Sequence, residues 1–215
     1  MKARVWKLTV ALVTATMLIA TRANATSVTF HLDQGATGPL GNAGTVTIDD
    51  TLSGPNTVNV LVTLNPGYDF VKTGAGDALA FNLLGDPAIG IGSITSGFAI
   101  GPAPVNESPF GTFNYSVSCT TGCGNGGSNP NPGPLSFDVL LTGITLNQFV
   151  GNAKGYYFAS DLIGPGPEGR LRTGNVGALG SQNTTQIDPV PEPASLTLLG
   201  TGLMFVGSRL RRRIA

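Results

Sequence analysis

Apolar and polar residues alternate in short runs along the middle of this chain, and turn residues break the runs apart. Ser27-Val28-Thr29-Phe30-His31-Leu32 alternates, as does Gly44-Thr45-Val46-Thr47-Ile48-Asp49. Val58 to Leu64 is the clearest run, closed by Asn65-Pro66-Gly67. A period of two puts every second side chain on one face of a strand. Tyr68 to Lys72, Ala78 to Leu83, Gly97 to Ile100, Thr112 to Ser118, Leu135 to Thr142 and Tyr156 to Leu162 are further strand candidates. Gly-Pro, Pro-Gly and Asp-Pro pairs between them supply turns. Short strands at this spacing predict an all-β body over 26–163: a single antiparallel β-sandwich, jelly-roll or immunoglobulin-like. Only Thr145 to Ala153 fits a short helix, with Leu146, Phe149 and Val150 on one face. Pro102 to Pro109 and Thr121 to Pro134 read as loops, and the Gly-, Asn- and Gln-rich stretch 164–189 as a tether. No fixed-period repeat occurs, which argues against a solenoid or propeller.

The two ends follow a different pattern. Lys2, Arg4 and Lys7 precede an apolar run of 13 residues, Leu8 to Ala20, and then Ala23-Asn24-Ala25. Charge, grease and small residues in that order predict a secretory signal helix over 1–25, cut before Thr26 by signal peptidase reading Ala23 and Ala25. Thirteen helical residues rise about 20 Å, short of a hydrocarbon core of about 30 Å. Cleavage would also remove Trp6, the chain's single tryptophan.

At the other end, Val190-Pro191-Glu192-Pro193 leads into an uncharged apolar run and then Arg209, Arg211, Arg212 and Arg213. The run 194–208 would rise only about 22 Å as a helix. The arginine stems can snorkel to the headgroups, and positive charge stays cytoplasmic. A single transmembrane helix over 194–208 is therefore expected, with the body on the far side of the membrane, the side to which a signal peptide delivers it. Stiff prolines, an oily stretch and a basic stop are the chemistry of an address, and they occupy 190–215.

The segment VPEPASLTLLGTGLMFVGSRLRRR resembles a PEP-CTERM sorting signal of exported Gram-negative proteins. The resemblance rests on Pro191-Glu192-Pro193, the Ala194-Ser195 pair after them, the glycine-containing apolar run and the arginine cluster. It implies processing near the tripeptide by an exosortase, a membrane protease-transpeptidase. It further implies passage through the inner membrane to the outer surface or extracellular matrix, in bacteria that make exopolysaccharide and biofilm. The segment GNAKGYYFASDL resembles stretches of other exported proteins of that class.

Charge narrows the partners. The chain holds 12 basic and 12 acidic residues, but the basic ones gather at the ends. Between Thr26 and Asp188 only Lys72, Lys154, Arg170 and Arg172 are basic, against eleven acids, a net charge of −7. Nucleic acid is excluded as a partner, because phosphate binding relies on clustered Lys and Arg.

Cys119 and Cys123 are the only cysteines. In an exported protein a disulfide is expected, pinning the tip of a hairpin. Zinc is the rival, but no third cysteine or nearby histidine completes four ligands. His31 is the single histidine, no G-x-S-x-G occurs, and no pair of acids stands out for glycoside hydrolysis. No catalytic residue and no cofactor is therefore assigned. Asp49-Asp50 and Asp69 with Asp77 could hold a structural calcium, with turn formation as the plainer reading. Tyr68, Tyr115, Tyr156 and Tyr157 are the candidates for stacking on a sugar. The expected function is that of a non-catalytic surface or matrix protein; the alternative is a secreted polysaccharide-binding module or hydrolase.

Overall fold

The computed structural model describes residues 26–36, 38–39, 42–51, 54–74, 76–124, 128–165, 171–180 and 183–186. The expected signal helix with Ala23 and Ala25 lies outside them. So do Pro191-Glu192-Pro193, the expected transmembrane helix and the terminal arginines. Among the described residues no helix is long and apolar enough to cross a membrane.

The described residues form an all-β structure. In chain order its strands are β1 (Thr26–His31), β2 (Gln34–Gly35), β3 (Gly38–Pro39), β4 (Gly44–Asp49), β5 (Thr57–Leu64), β6 (Asp69–Phe70), β7 (Leu79–Phe81) and β8 (Gly90–Gly92). They continue with β9 (Phe98–Ile100), β10 (Val105–Glu107), β11 (Gly111–Phe113), β12 (Tyr115–Cys119), β13 (Leu135–Leu140), β14 (Phe158–Pro165), β15 (Leu171–Ala178) and β16 (Asn183–Gln186). All belong to one compact unit, Thr26–Gln186.

Two large sheets carry the fold. The six-stranded one runs β16-β1-β4-β5-β13-β8. The eight-stranded one runs β3-β2-β15-β14-β7-β12-β9, with β6 pairing β14. The pairings are antiparallel throughout. Alternation sets the register of the first sheet. Val46 lies opposite Val62 and Ile48 opposite Val60, while Val60 faces Phe137 and Val62 faces Leu135. All of these side chains are buried.

Aromatic rings join the two sheets. Phe30 of β1 meets Phe158 of β14 edge-on, with centroids 4.9 Å apart. Phe137 of β13 lies 5.8 Å from Phe81 of β7, and Phe149 touches both Phe81 and Phe158. Such ring pairs add about 0.5–1.5 kcal/mol each beyond their buried area. Cys119 at the end of β12 is bonded to Cys123, their Cα atoms 5.9 Å apart.

Three sequence expectations change. The stretch 164–189 is more than a tether, because β15 pairs along all of β14 and β16 pairs with β1; backbone bonding outweighs a glycine-rich composition there. Pro102 to Pro109 contains strand β10. The helix expected at Thr145 to Ala153 shrinks to a 3-10 turn, Leu146–Gln148, because Phe149 is drawn into a bridge with Leu83.

Candidate functional site

The central strands of the eight-stranded sheet, β14, β7 and β12, are covered on both faces. Along β12, Val117 and Cys119 enter the main core while Ser116 and Ser118 point the other way and are still buried. Along β14, Phe158 and Leu162 face the main core and Ala159 joins a second, smaller one. Part of the cover over that second face is the hairpin β10–β11, which among the described residues pairs with no other strand. Its Val105, Phe110 and Phe113 pack on Ala80 and Ala159. Phe110 seats against β15 because position 177 is glycine; a Cβ there would lie 2.8 Å from its ring.

Three carboxylates are buried around the seam between hairpin and sheet: Asp77, Glu107 and Asp161, at 1%, 0% and 0% exposure. The Ser116 hydroxyl donates to Asp77 Oδ2 at 2.7 Å and the Ser118 hydroxyl to Oδ1 at 2.5 Å. Asp161 accepts the Thr73 backbone N–H and, at 2.7 Å, the Thr73 hydroxyl. Glu107 reaches down from β10, and its Oε1 accepts the Asp77 N–H at 2.9 Å. Its Oε2 is buried without a hydrogen-bond partner. One nearby cation is Lys72, with Nζ 3.9 Å from Asp77 Oδ1 and the side chain 42% exposed.

Burial favours the neutral form of an acid. It pushes Glu107 up to about 8; the Asp77 N–H opposes the shift, and the Asp77 and Asp161 charges reinforce it. Burial also raises Asp161, against the Thr73 hydrogen bonds and together with the Asp77 charge. Glu107 is thus an acid that keeps its proton near neutrality.

Two carboxyls with separated pKa values are the starting point for glycoside hydrolysis, but that chemistry needs a cleft between them. None of these three lines the nearby groove of about 360 Å³, which is walled by residues including Asn82, Asp86, Thr112, Asn114 and Asn152. Among the described residues no group of three or more His, Cys, Asp or Glu is gathered to hold a metal.

The other sequence candidates fall elsewhere. His31 accepts a hydrogen bond at Nδ1 from the Asn42 amide, 2.9 Å away, at the protein surface. Asp49 Oδ1 accepts both the N–H and the hydroxyl of Thr51, the bonding of a turn former. The tyrosines are half-buried supports rather than an open platform. Tyr115 stacks on Phe81 and donates to the Pro87 carbonyl at 2.5 Å. Tyr156 meets Phe110 edge-on and Tyr157 leans on Phe30. Tyr68 lies over Gly164, where a Cβ would strike its ring. The carboxylate cluster escaped the sequence reading; its one local trace is Ser160-Asp161, a polar pair inside the apolar run Phe158 to Ile163.

Comparison with known families decides what the tail is. A family model for the PEP-CTERM protein-sorting motif matches residues 189–213. This protein carries a PEP-CTERM sorting motif. The match takes in Pro191-Glu192-Pro193 and all four arginines from Arg209 to Arg213. A PEP-CTERM motif implies an exported protein handled at the membrane by an exosortase-type enzyme. No curated protein and no solved structure matches the chain.

Proposed function

We propose that this is a non-catalytic surface or matrix protein of a Gram-negative bacterium. A β-sandwich body of jelly-roll or immunoglobulin-like kind is released near Pro191-Glu192-Pro193 and left at the outer surface or in a biofilm matrix. The observation that carries this reading is the PEP-CTERM motif attached to a body whose acidic cluster is shut off from substrate. In that setting the −7 body charge keeps the exported domain soluble. Replacing Pro191-Glu192-Pro193 with three alanines is expected to leave an unprocessed precursor in the membrane fraction. Mass spectrometry of a released wild-type protein still ending at Ala215 would overturn the sorting step. For the body, deletion of the protein should weaken floc or biofilm cohesion.

A second reading, a module that binds exopolysaccharide, finds support in the groove. Its walls offer amides and hydroxyls, Asn82, Thr112, Asn114 and Asn152, and one acid, Asp86, groups that suit a neutral hydroxylated ligand. Binding of the purified body to the producer's own matrix, lost on Asn114→Ala and Asp86→Ala, would favour it. Equal retention of wild type and both variants would reject it.

A further inference from the structure

We propose that the hairpin β10–β11 is a pH-sensitive strap over the eight-stranded sheet, latched while Glu107 is uncharged and released when that carboxyl ionises. The strap has no strand neighbour among the described residues. Side chains hold it instead: Val105, Phe110 and Phe113 on the sheet, and a few bonds to its backbone. Lys154 Nζ donates to the Pro109 carbonyl at 2.6 Å, the Asn152 amide to that of Phe110 at 2.9 Å, and the Asn175 amide to that of Ser108 at 3.0 Å.

Glu107 is the latch because its two oxygens stand in different positions. Oε1 takes the Asp77 N–H; Oε2 has nothing to accept. As an acid, Glu107 accepts with one oxygen and keeps the proton on the other. As a carboxylate it would be a third negative charge in a dry site. Asp77, ahead of β7, and Asp161, on β14, already stand there.

Two lysines are near. Lys72 serves Asp77 and is half in solvent, and Lys154 is bonded to the Pro109 carbonyl. Among the described residues, the other side chains bonded to or packed on these acids and the hairpin bring no cation. Ser116 and Ser118 come from β12, Asn175 and Gly177 from β15, and the Tyr156 ring leans on Phe110. A buried charge without a partner is costly, and lifting the hairpin into water removes that cost. Burial already moves the Glu107 titration to about 8.

A bound cation is the rival way to satisfy the acids. Against it, each carboxylate oxygen of Asp77 and Asp161 already accepts a hydrogen bond, and the described residues gather no metal-binding group of three.

The test is amide exchange on the purified protein from pH 5 to 9, read as protection factors. Of the facing pairs Val105–Phe113 and Asn106–Thr112, one is hydrogen-bonded across the hairpin; the amides protected at pH 5 should lose protection by about tenfold per pH unit up to about pH 8, then level off. Val60 and Phe137 in the other sheet should keep theirs. Glu107→Gln, which cannot ionise, should hold the hairpin protected at pH 9. Constant protection of the wild-type hairpin, or a parallel loss in Glu107→Gln, would overturn the strap. So would calcium that restores wild-type protection at pH 9, since a metal would then be the missing charge. A carboxyl-carbon NMR titration of wild type needs no variant. Glu107 titrating near an ordinary 4.5 rejects the proposal, and a midpoint near 8 supports it.

Discussion

The outward faces of the two large sheets solve the same problem in opposite ways. On the six-stranded sheet the outward row Thr29, Thr47, Leu61 and Ser136 meets water. Thr29 and Thr47 share a hydroxyl–hydroxyl bond at 3.1 Å, and the Asn59 amide donates to Asp138 Oδ1 at 2.9 Å. On the eight-stranded sheet the outward positions Ser116, Ser118, Ala159 and Asp161 are just as polar or small, yet they are buried: the hairpin lies over Ala159, Gly101 and Pro102 lie over the two serines, and Thr73 and Gly76 lie over Asp161. The first face keeps its polar groups in water. The second buries them and must satisfy each one internally, and Glu107 Oε2 is where that satisfaction fails. Similar composition therefore gives a passive surface in one place and a titratable seam in the other.

The sharpest way to break this comparison is to remove an anchor from the covered face. Phe113 is fully buried, so Phe113→Ala should cost about 3–5 kcal/mol in urea unfolding. A cost near zero would mean the hairpin does not hold that face.

Next comes pH. In the unfolded chain Glu107 titrates near 4.5, and in the fold near 8. Its folded value is raised, so the folded protein binds the extra proton between those values. That contribution is fully present below about pH 4.5 and is lost as pH climbs through about 8. Unfolding free energy should drop by on the order of 3 kcal/mol from pH 5 to pH 8. Glu107→Gln should remove most of the drop, as urea midpoints across that range will tell.

The smallest effect belongs to the open face. Leu61 is 37% exposed, and Leu61→Thr should change stability by no more than about 0.5 kcal/mol. A larger loss would show that this face is covered as well.

The open sheet was also the readable one. In β4, β5 and β13 every second residue is apolar and buried, so a period of two announced both the strand and its inner face. Where a strand is buried on both sides the alternation fades, and β14 is covered almost from end to end. Strand β10 sits among Pro102, Pro104 and Pro109, where local chemistry argues for a loop and only the partner strand β11 makes it a hairpin. β15 holds Gly174 and Gly177, which read as slack until pairing with β14 is known. The sorting motif was legible in full, since its chemistry lies in consecutive residues. Asp77, Glu107 and Asp161 come from distant parts of the chain, and nothing short of the tertiary fold brings them together.

The pairing of β1 with β16 sets Thr26 directly opposite Gln186. The body therefore begins and ends at one corner. Any tension drawn through the sorting tail enters there and is resisted first by a four-residue edge strand. Peeling that strand away would hand its length to the tail, at about 3.3 Å per residue, before the aromatic interior bears any load. The last strand is therefore the first element of the body to give way under a pull from residue 187 onward.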